Sequence, residues 1–394
     1  MSHRSQEATV LGTPSLPAGV VSSTRSKRSR PENSHSPLGC GTVPASLIDL
    51  VQELVEIESP TGETRALGER LASELEDLGG QVAWLGEHVR ADFPGREPPL
   101  LLLGHLDTVW DRGTLAARPF RVAGERAYGP GVCDMKGGLA VALAAIRESG
   151  GDRRALRVFL SADEEDGSVT AREAIAHAGR GSAAALVVEP ATPDGAVKSA
   201  RSGLARYRLR VEGSSGDADA GAANAVEELA RQIVDLLALD EPENGVAVNV
   251  GKIDGGLRAN AVPEHAEAML DVRVASPAQV PSIAARVLER TPHDPATRVS
   301  VVEWYSRPPL APSEAAGRLF ARAREHARDL GFELREASSR GGSDGNLVGA
   351  FGVPVLDGLG AVGGGSHAPW EYVELSSLEP RAALLARLLR DPGV

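Results

Sequence analysis

Apolar residues recur in two different patterns once the chain passes residue 45. Helical spacing covers 45–55 and again 67–78, where Gly79 and Gly80 end the second helix. Farther on, continuous apolar runs of strand length alternate with helical patterns. The predicted strands are 100–103, 156–160 and 184–188, and the predicted helices between them are 138–147 and 169–178. This alternation predicts a mainly parallel sheet that is covered by helices on both faces.

A different pattern begins near residue 199. Tyr207, Leu209 and Val211 alternate with polar residues, as in a strand with one buried face. The predicted elements that follow are helix 226–239, strands 247–253 and 266–274, helix 277–288 and strand 298–304. This β-α-β-β-α-β order is typical of a compact two-layer unit.

The last part of the chain returns to the first pattern. Its predicted elements are helix 315–330, strand 353–356 and a closing helix 380–389. The predicted fold class is therefore α/β, with a larger domain of residues 44–198 and 309–394. A smaller α+β domain of residues 199–308 is inserted into it.

Residues 1–43 show no hydrophobic period and are rich in Ser, Pro, Arg and Gly. We predict a disordered tail there, because such a segment buries too little apolar surface to offset the entropy of ordering. The net charge is −12, with +3 in this tail and −15 in the rest. The acidic balance opposes nucleic acid as a partner. Without an 18-residue apolar run or an N-terminal signal stretch, a cytoplasmic location is expected.

Acidic residues and histidines follow several of the predicted strands. In parallel sheets, the carboxyl ends of the strands meet at the edge where ligands bind. The candidates are His105, Asp107, Asp134, Glu164, Glu165, Glu189 and His367. Two imidazoles and four carboxylates suit two zinc-like ions that share a bridging carboxylate, with the remaining glutamate as a base. The set predicts metal-assisted hydrolysis of an amide.

The local sequence adds detail to this prediction. Asp134 lies in a glycine-bounded turn, where a carboxylate can approach two ions. Glu164 and Glu165 are adjacent, so on an extended chain they should point apart, one toward an ion and one toward a water. Each residue alone is more often an ordinary surface or structural group. The occurrence of all seven in this order carries the prediction.

Other chemistries find less support in the sequence. Cys133 borders Asp134, but no histidine has the spacing to activate it as a nucleophile. No nucleophile elbow of the G-x-S-x-G form supports serine chemistry, and the glycine-rich segments lack the lysine of a phosphate loop. His265 in the inserted domain is a weak second candidate, and the remaining histidines are interpreted as structural or surface residues.

Seven ordered segments carry a resemblance to a known family: GHLDTVW, AYGPGVCDMKGG, ADEEDGS, VVEP, NAVPEHAEAMLDVRV, GGSDGN and GGSHAPWEYV. They resemble the M20 metallopeptidases, and within them the carboxypeptidase G2-like (glutamate carboxypeptidase) group, from about residue 46 to the C-terminus. The resemblance implies a dinuclear zinc hydrolase, with Co²⁺ or Mn²⁺ as alternative metals. Its expected substrate is a small N-acyl amino acid or a peptide with a free C-terminal carboxylate.

The resemblance also implies a role for each candidate. The implied metal ligands are His105 and Glu189 for one ion, Glu165 and His367 for the other, and Asp134 as the bridge. Glu164 is the implied general base, and Asp107 orients His105. Asn260 and Arg273 match substrate-gripping residues, with Arg273 on the substrate carboxylate. The Asp134–Met135 peptide bond should be cis. The resemblance further implies that the inserted domain is both a lid and a dimerisation domain (lid/dimerisation domain), so a homodimer is expected.

One segment departs from the family pattern. The family's lid carries a histidine that reaches the partner subunit's active site and stabilises the oxyanion. Here the stretch reads VEGSSGDADAGAANAVEEL, and Asp217 stands near that position. A carboxylate would repel an oxyanion, so we predict that Asp217 does not contact the attacking water. Two alternatives therefore stay open: a specialised-metabolite deacylase or amidohydrolase with altered lid chemistry, and a metal-binding relative that does not hydrolyse.

Overall fold

The computed structural model describes residues 46–217 and 221–394, with Gly216 and Asp217 described at the backbone only; the predicted tail of residues 1–43 lies outside these residues. The helices within the described residues are α1 (Leu47–Val55), α2 (Arg65–Asp77), α3 (Thr114–Ala117), α4 (Gly137–Ser149), α5 (Arg172–Gly179), α6 (Ala225–Leu237), α7 (Val280–Leu288), α8 (Glu314–Asp329), α9 (Asp344–Gly349) and α10 (Leu375–Arg390). The strands are β1 (Gln81–Leu85), β2 (His88–Phe93), β3 (Arg96–His105), β4 (Arg121–Ala123), β5 (Arg126–Tyr128), β6 (Arg154–Ser161), β7 (Ala184–Val187), β8 (Val197–Arg201), β9 (Gly203–Glu212), β10 (Gly216–Asp217), β11 (Val246–Gly255), β12 (Ala261–Val262), β13 (His265–Val274), β14 (Arg298–Arg307), β15 (Glu336–Ser339), β16 (Val355–Leu356), β17 (Gly363–Gly364) and β18 (Tyr372–Glu374).

The larger sheet has six strands in the order β1-β2-β6-β3-β7-β16. From β6 to β16 the neighbouring strands are parallel, as the sequence predicts. The β1–β2 hairpin at the other edge is antiparallel and is missing from the sequence prediction. Residues 82–85 of β1 are consecutive apolar residues, but all are exposed or half-buried, and β2 alternates polar with apolar residues, so the hairpin lacks the pattern of strands buried on both faces.

Both faces of this sheet are covered. Leu100 and Leu102 of β3 belong to the core under α1, α2, α4 and α10, whereas Leu101 and Leu103 belong to the smaller core under α5 and α9. Such two-sided burial explains why β3 is a continuous apolar run. The register pairs His105 with Ser161, so β3 and β6 end side by side, and β7 ends beside them. The loops that follow these strands therefore meet at one edge.

A close packing contact sets the position of α4 at this edge. A Cβ on Gly138 would lie 1.9 Å from the carbonyl oxygen of Val188, so only glycine allows the helix to approach the end of β7 this closely. The irregular turn Val132–Lys136 leads directly into α4. Asp134 is thereby brought next to the segment that follows β7.

The second sheet has the order β11-β13-β9-β14, and all its neighbours are antiparallel. Its chain order, β9-α6-β11-β13-α7-β14, confirms the predicted β-α-β-β-α-β unit. Leu229 and Leu236 of α6 and Ile283 and Val287 of α7 pack on one face of the sheet to form a separate core. Ser202 separates the two parts of the fold. β8, just before it, pairs with β15, whereas β9, just after it, belongs to the second sheet.

One predicted boundary is wrong. The last helix was expected to begin at Pro380, but α10 begins at Leu375 and contains this proline in its interior. Proline removes one helix hydrogen bond, yet the apolar face of α10 that packs into the main core sustains the helix. Among the described residues, none of the helices is both long and apolar enough to cross a membrane.

Candidate metal centre

The seven candidate residues come from five segments that converge at the carboxyl edge of the larger sheet. His105 ends β3 and Asp107 follows it; Asp134 lies in the turn before α4; Glu164 and Glu165 lie in the turn after β6; Glu189 follows β7; and His367 lies between β17 and β18. Apart from His367, whose side chain is 53% exposed, they are buried or half-buried. The arrangement fits the strand-end placement that the sequence predicts.

Asp134 lies between the two imidazoles. On one side, His105 Nε2 is 3.2 Å from Asp134 Oδ1 and 3.7 Å from Glu189 Oε1. On the other side, His367 Nε2 is 3.7 Å from Asp134 Oδ2 and 3.2 Å from Glu165 Oε2. Each oxygen of Asp134 therefore faces a different imidazole–carboxylate pair, which is the geometry of a bridging ligand. The Asp134–Met135 peptide bond is cis, which confirms that prediction.

Glu164 lies beside the same centre. One ligand atom each from His105, Glu164 and Glu189 lie within 4.8 Å of one another, as do ligand atoms of His105, Asp134 and Glu165. The carboxylate of Glu164 is thus close enough to reach either an ion or a water bound between its neighbours.

Asp107 organises both the histidine and the glutamate pair. His105 Nδ1 is 2.9 Å from the backbone oxygen of Asp107 and 3.5 Å from its carboxylate. The same carboxylate accepts the backbone N–H groups of Glu164 and Glu165, each at 3.0 Å, and the hydroxyl of Thr61 at 2.8 Å. Glu164 and Glu165 therefore lie in a turn and not on extended chain, so that part of the sequence prediction is wrong. The cause is that Asp107 binds two successive N–H groups, which an extended strand would point to opposite sides.

Burial and mutual repulsion shift the pKa values across the centre. Burial, together with the charge of Asp134, raises the pKa of Glu165 to about 7 and that of Glu189 to about 8. Burial also opposes ionisation of Asp134, but the hydrogen bond with His105 and the charges of His105, His367 and Lys198 together outweigh this and lower its pKa to about 2. A hydrogen bond with Glu165 raises the pKa of His367 to about 9. The grouped carboxylates therefore favour a positive charge among them, such as a proton or a metal ion.

The donor set fits a pair of divalent metal ions. Because a carbonyl oxygen only accepts, the contact of His105 Nδ1 with the Asp107 carbonyl places the proton on Nδ1. His105 Nε2 then faces Asp134 and Glu189, so a positive charge is needed between them, either a proton on Nε2 or a metal ion in its place. In addition, the buried Oε1 of Glu165 has no hydrogen-bond partner among the described residues. Imidazole nitrogens and carboxylate oxygens are ligands that zinc takes in proteins.

Two buried arginines that sequence reasoning missed support the glutamates. Arg201 forms two hydrogen bonds with Asp357, at 2.7 and 2.6 Å, and lies 3.3 Å from Glu189 Oε2. Arg307 lies 2.5 Å from Glu164 Oε1 and 3.5 Å from Asp344 Oδ1. Asp344 belongs to the GGSDGN segment noted in the sequence, but no pattern linked it to an arginine more than 30 residues away.

The predicted substrate residues lie apart from the ligand set. Asn260 is exposed in the loop between β11 and β12. Arg273 bonds to Asp271 and to the backbone oxygen of Arg340. Within residues 46–217 and 221–394, neither side chain forms a hydrogen bond to the metal-ligand candidates. The thiol of Cys133 is buried, and burial raises its pKa, which agrees with its rejection as a nucleophile.

Comparison with known proteins assigns the chain to a family. Peptidase family M20/M25/M40 matches residues 101–391. The chain belongs to this family. Carboxypeptidase G2 of Pseudomonas sp. (strain RS-16) is 30% identical over 371 residues, which cover 88% of this chain and 89% of that protein. This M20-family protein is therefore a hydrolase of the metallopeptidase type, as the resemblance implied.

Two further proteins resemble the chain over most of its length. Succinyl-diaminopimelate desuccinylase of Halorhodospira halophila (strain DSM 244 / SL1) is 26% identical over 377 residues, covering 88% of this chain and 98% of that protein. The structure of the Bacillus subtilis YXEP protein, described as a dinuclear metal-binding peptidase, matches with a TM-score of 0.65 at 16% identity. The match covers 87% of this chain and 97% of that chain. The fold of the M20-family chain thus agrees with that of a solved family member.

Neither histidine in the described part of the inserted domain, His265 or His293, forms a hydrogen bond or ion pair with the candidate metal ligands. His265 is exposed at the start of β13, and His293 bonds to Asp235 on α6. The backbone of Asp217 pairs with Ala261, whereas its side chain lies outside the described residues. The prediction that Asp217 avoids the attacking water therefore stays a prediction.

Proposed function

We propose that this M20-family protein is a dinuclear zinc-dependent hydrolase that cleaves the amide bond of a small N-acyl amino acid or of a peptide with a free C-terminal carboxylate. One observation carries the proposal. The two oxygens of Asp134 face different imidazoles, His105 at 3.2 Å and His367 at 3.7 Å, and each imidazole also lies near a glutamate, Glu189 at 3.7 Å and Glu165 at 3.2 Å. Co²⁺ or Mn²⁺ would suit the same donors.

The residues of the centre divide into ligands and one base. His105, Asp134, Glu165, Glu189 and His367 would hold two metal ions, which would supply polarisation of the scissile carbonyl and a lower pKa of a bound water. Glu164 accepts a proton from the attacking water and gives it to the leaving amine nitrogen. Arg307, 2.5 Å from Glu164 Oε1, holds this carboxylate in place. Asp107 fixes both His105 and the turn that carries Glu164, so that base and ligands keep their relative positions.

Arg273 and Asn260 are the proposed substrate-binding residues. They lie on the inserted domain, whose movement toward the metal centre would bring them to the substrate. A guanidinium suits a terminal carboxylate because it donates two parallel hydrogen bonds. The inserted domain is also the proposed dimer contact, and the proposed partner is a second copy of the chain.

A panel of substrate pairs tests this proposal. The zinc-loaded protein is assayed with N-acyl-L-glutamates, N-acyl-L-alanines and dipeptides, each with a free C-terminal carboxylate or with a C-terminal amide. We expect hydrolysis of the free acids and a large loss of kcat/KM for the amides. Arg273→Ala should remove that difference. Equal hydrolysis of acids and amides by the unaltered enzyme would contradict the carboxylate preference.

A second candidate is a deacylase or amidohydrolase of a specialised metabolite. The lid segment that lacks the family histidine favours it, because oxyanion stabilisation must then come from another donor. Similarity to a desuccinylase, at 26% identity, is in line with such a role. Turnover of N-acetyl or N-succinyl amines that lack an α-carboxylate, with no turnover of N-acyl amino acids, would favour this candidate.

A further inference from the structure

Glu371 is a buried glutamate for which neither the motif analysis nor the proposed mechanism has a role. Only 2% of the residue is exposed. Its Oε1 accepts the backbone N–H groups of Cys133, at 2.9 Å, and Asp134, at 3.0 Å. Its Oε2 accepts the backbone N–H of Gly131, at 2.8 Å, and the indole N–H of Trp110, at 2.9 Å. All four contacts are N–H donors, so the arrangement suits an ionised carboxylate, although burial alone raises the pKa of Glu371.

The four donors belong to two segments that each carry a candidate ligand. Trp110 follows His105 and Asp107 in the loop after β3, and Gly131–Asp134 is the turn that presents the bridging carboxylate. Glu371 itself lies four residues after His367, in a turn closed by hydrogen bonds from Ala368 to Gly365 and from Glu371 to Ala368. A single side chain therefore ties together the segments of His105, Asp134 and His367.

The surroundings of Asp134 and His367 explain why their segments need to be connected. The side chain of His367 is 53% exposed, and within the described part of the chain its ion-pair partners are Asp134 and Glu165. Asp134 and Met135 have non-helical backbone angles, and the N–H groups of Gly131, Cys133 and Asp134 donate to Glu371 and not to a helix carbonyl. Without an acceptor at Glu371, three backbone N–H groups of this turn would be buried without a partner.

We propose that Glu371 is a positioning residue that holds the Asp134 turn against the His367 segment, so that Asp134 can bridge two metal ions. Glu371 does not reach the ions itself, since both its oxygens are occupied by N–H donors. The inference rests on the proposed dinuclear centre. It adds Glu371, which is not a ligand, to the residues that metal binding requires.

Glu371→Gln tests the proposal. The amide keeps the size of the side chain but places an N–H₂ group against N–H donors that need an acceptor. We expect the affinity for Zn²⁺, measured by calorimetric titration of the apo-protein, to fall by about 10–100-fold, the usual cost of losing a group that orients ligands. With Co²⁺ at saturation, the visible spectrum and the magnetic coupling between the two ions should also change, because both depend on the bridge.

Two further variants control the experiment. Glu374→Gln, three residues away, alters a glutamate that pairs with Arg126 at the surface, and it should leave metal affinity and the Co²⁺ spectrum unchanged. Trp110→Phe removes one donor and leaves the three backbone contacts, so its effect on affinity should be smaller than that of Glu371→Gln. It also provides a test if Glu371→Gln does not fold.

The outcomes separate this inference from the proposed function. If the unaltered protein binds fewer than two metal ions or does not hydrolyse amides, the proposed function is wrong. If it does both, and Glu371→Gln folds with unchanged zinc affinity and Co²⁺ spectrum, the positioning role is wrong. A lower melting temperature of apo Glu371→Gln with normal metal binding would likewise overturn it, since that result describes a purely structural residue. With Glu371→Gln unfolded, Trp110→Phe with unaltered zinc affinity and spectrum would overturn it as well.

Discussion

At the scale of single residues, Glu164 differs from the other carboxylates of the centre because it contacts a buried arginine and no histidine. Its Oε1 lies 2.5 Å from Arg307, whereas Asp134, Glu165 and Glu189 each lie within 3.7 Å of an imidazole nitrogen. The guanidinium fixes the position of this carboxylate, and the lack of an imidazole contact sets it apart from the candidate ligands. This contact supports the assignment of Glu164 as the base.

We predict that Glu164→Gln lowers kcat by about 10²–10⁴-fold and leaves metal content intact, because the amide keeps the hydrogen bond with Arg307 but cannot accept a proton. Steady-state kinetics and metal analysis of the purified variant check this. If the variant loses one of two metal ions, Glu164 is a ligand and the base must be sought elsewhere, first at Glu165.

At the scale of secondary-structure elements, the contact between α4 and β7 sets the distance between Asp134 and Glu189. Gly138 lies where a Cβ would be 1.9 Å from the carbonyl oxygen of Val188, and backbone atoms cannot swing away as a flexible side chain can. A larger residue must therefore push the helix from the sheet. The ligands on either side of the contact would separate with it.

Gly138→Ala should destabilise the fold by about 1–3 kcal/mol, the usual cost of overpacking, and weaken metal binding. Gly317→Ala is the matched control, because it lies in α8 with nothing within 4 Å of its added methyl group. That control should gain up to about 1 kcal/mol from the higher helix propensity of alanine. Chemical denaturation and zinc titration of both variants give the comparison. Equal stability of the two variants would show that α4 can shift without cost.

At the scale of the whole molecule, the charge of the centre links stability to pH and to metal. Glu165 and Glu189 have pKa values raised from 4.5 to about 7 and about 8. Groups with raised pKa values bind more protons in the folded state, so their contribution is complete below pH 4.5 and is lost as pH rises to about 8. Bound cations would replace these protons.

We therefore predict that the metal-free protein loses stability between pH 5 and about pH 8, while the zinc-loaded protein does not. The difference in melting temperature between the two forms should grow with pH over this range. Thermal unfolding after chelation and after zinc addition, at several pH values, measures it. A constant difference across the range would contradict the assignment of Glu165 and Glu189 as ligands.

Association through the inserted domain is a second prediction at this scale. Val234, an apolar residue on α6, is 68% exposed. A second subunit that packs against α6 would cover this side chain. We predict a homodimer in solution that Val234→Asp converts to a monomer. Val122→Asp is the control, since Val122 is 51% exposed on the larger domain. Light scattering gives the molar mass of the unaltered protein and of both variants. A monomeric unaltered protein would refute the dimer. If Val234→Asp keeps the mass of a dimer, this surface of α6 is not the interface.

The amino-acid sequence by itself determined the α/β class, the inserted β-α-β-β-α-β unit and the identity of the seven candidate residues. These follow from local properties: the period of apolar positions, strand-end placement and ordered motifs. Tertiary structure alone decided which groups surround the candidates. The pairing of Glu164 with Arg307, the turn of Glu164 and Glu165 around Asp107, and the four contacts of Glu371 join residues 57 to 261 positions apart. Such contacts depend on how strands and loops are packed in space, and no local period or spacing in the chain records that packing.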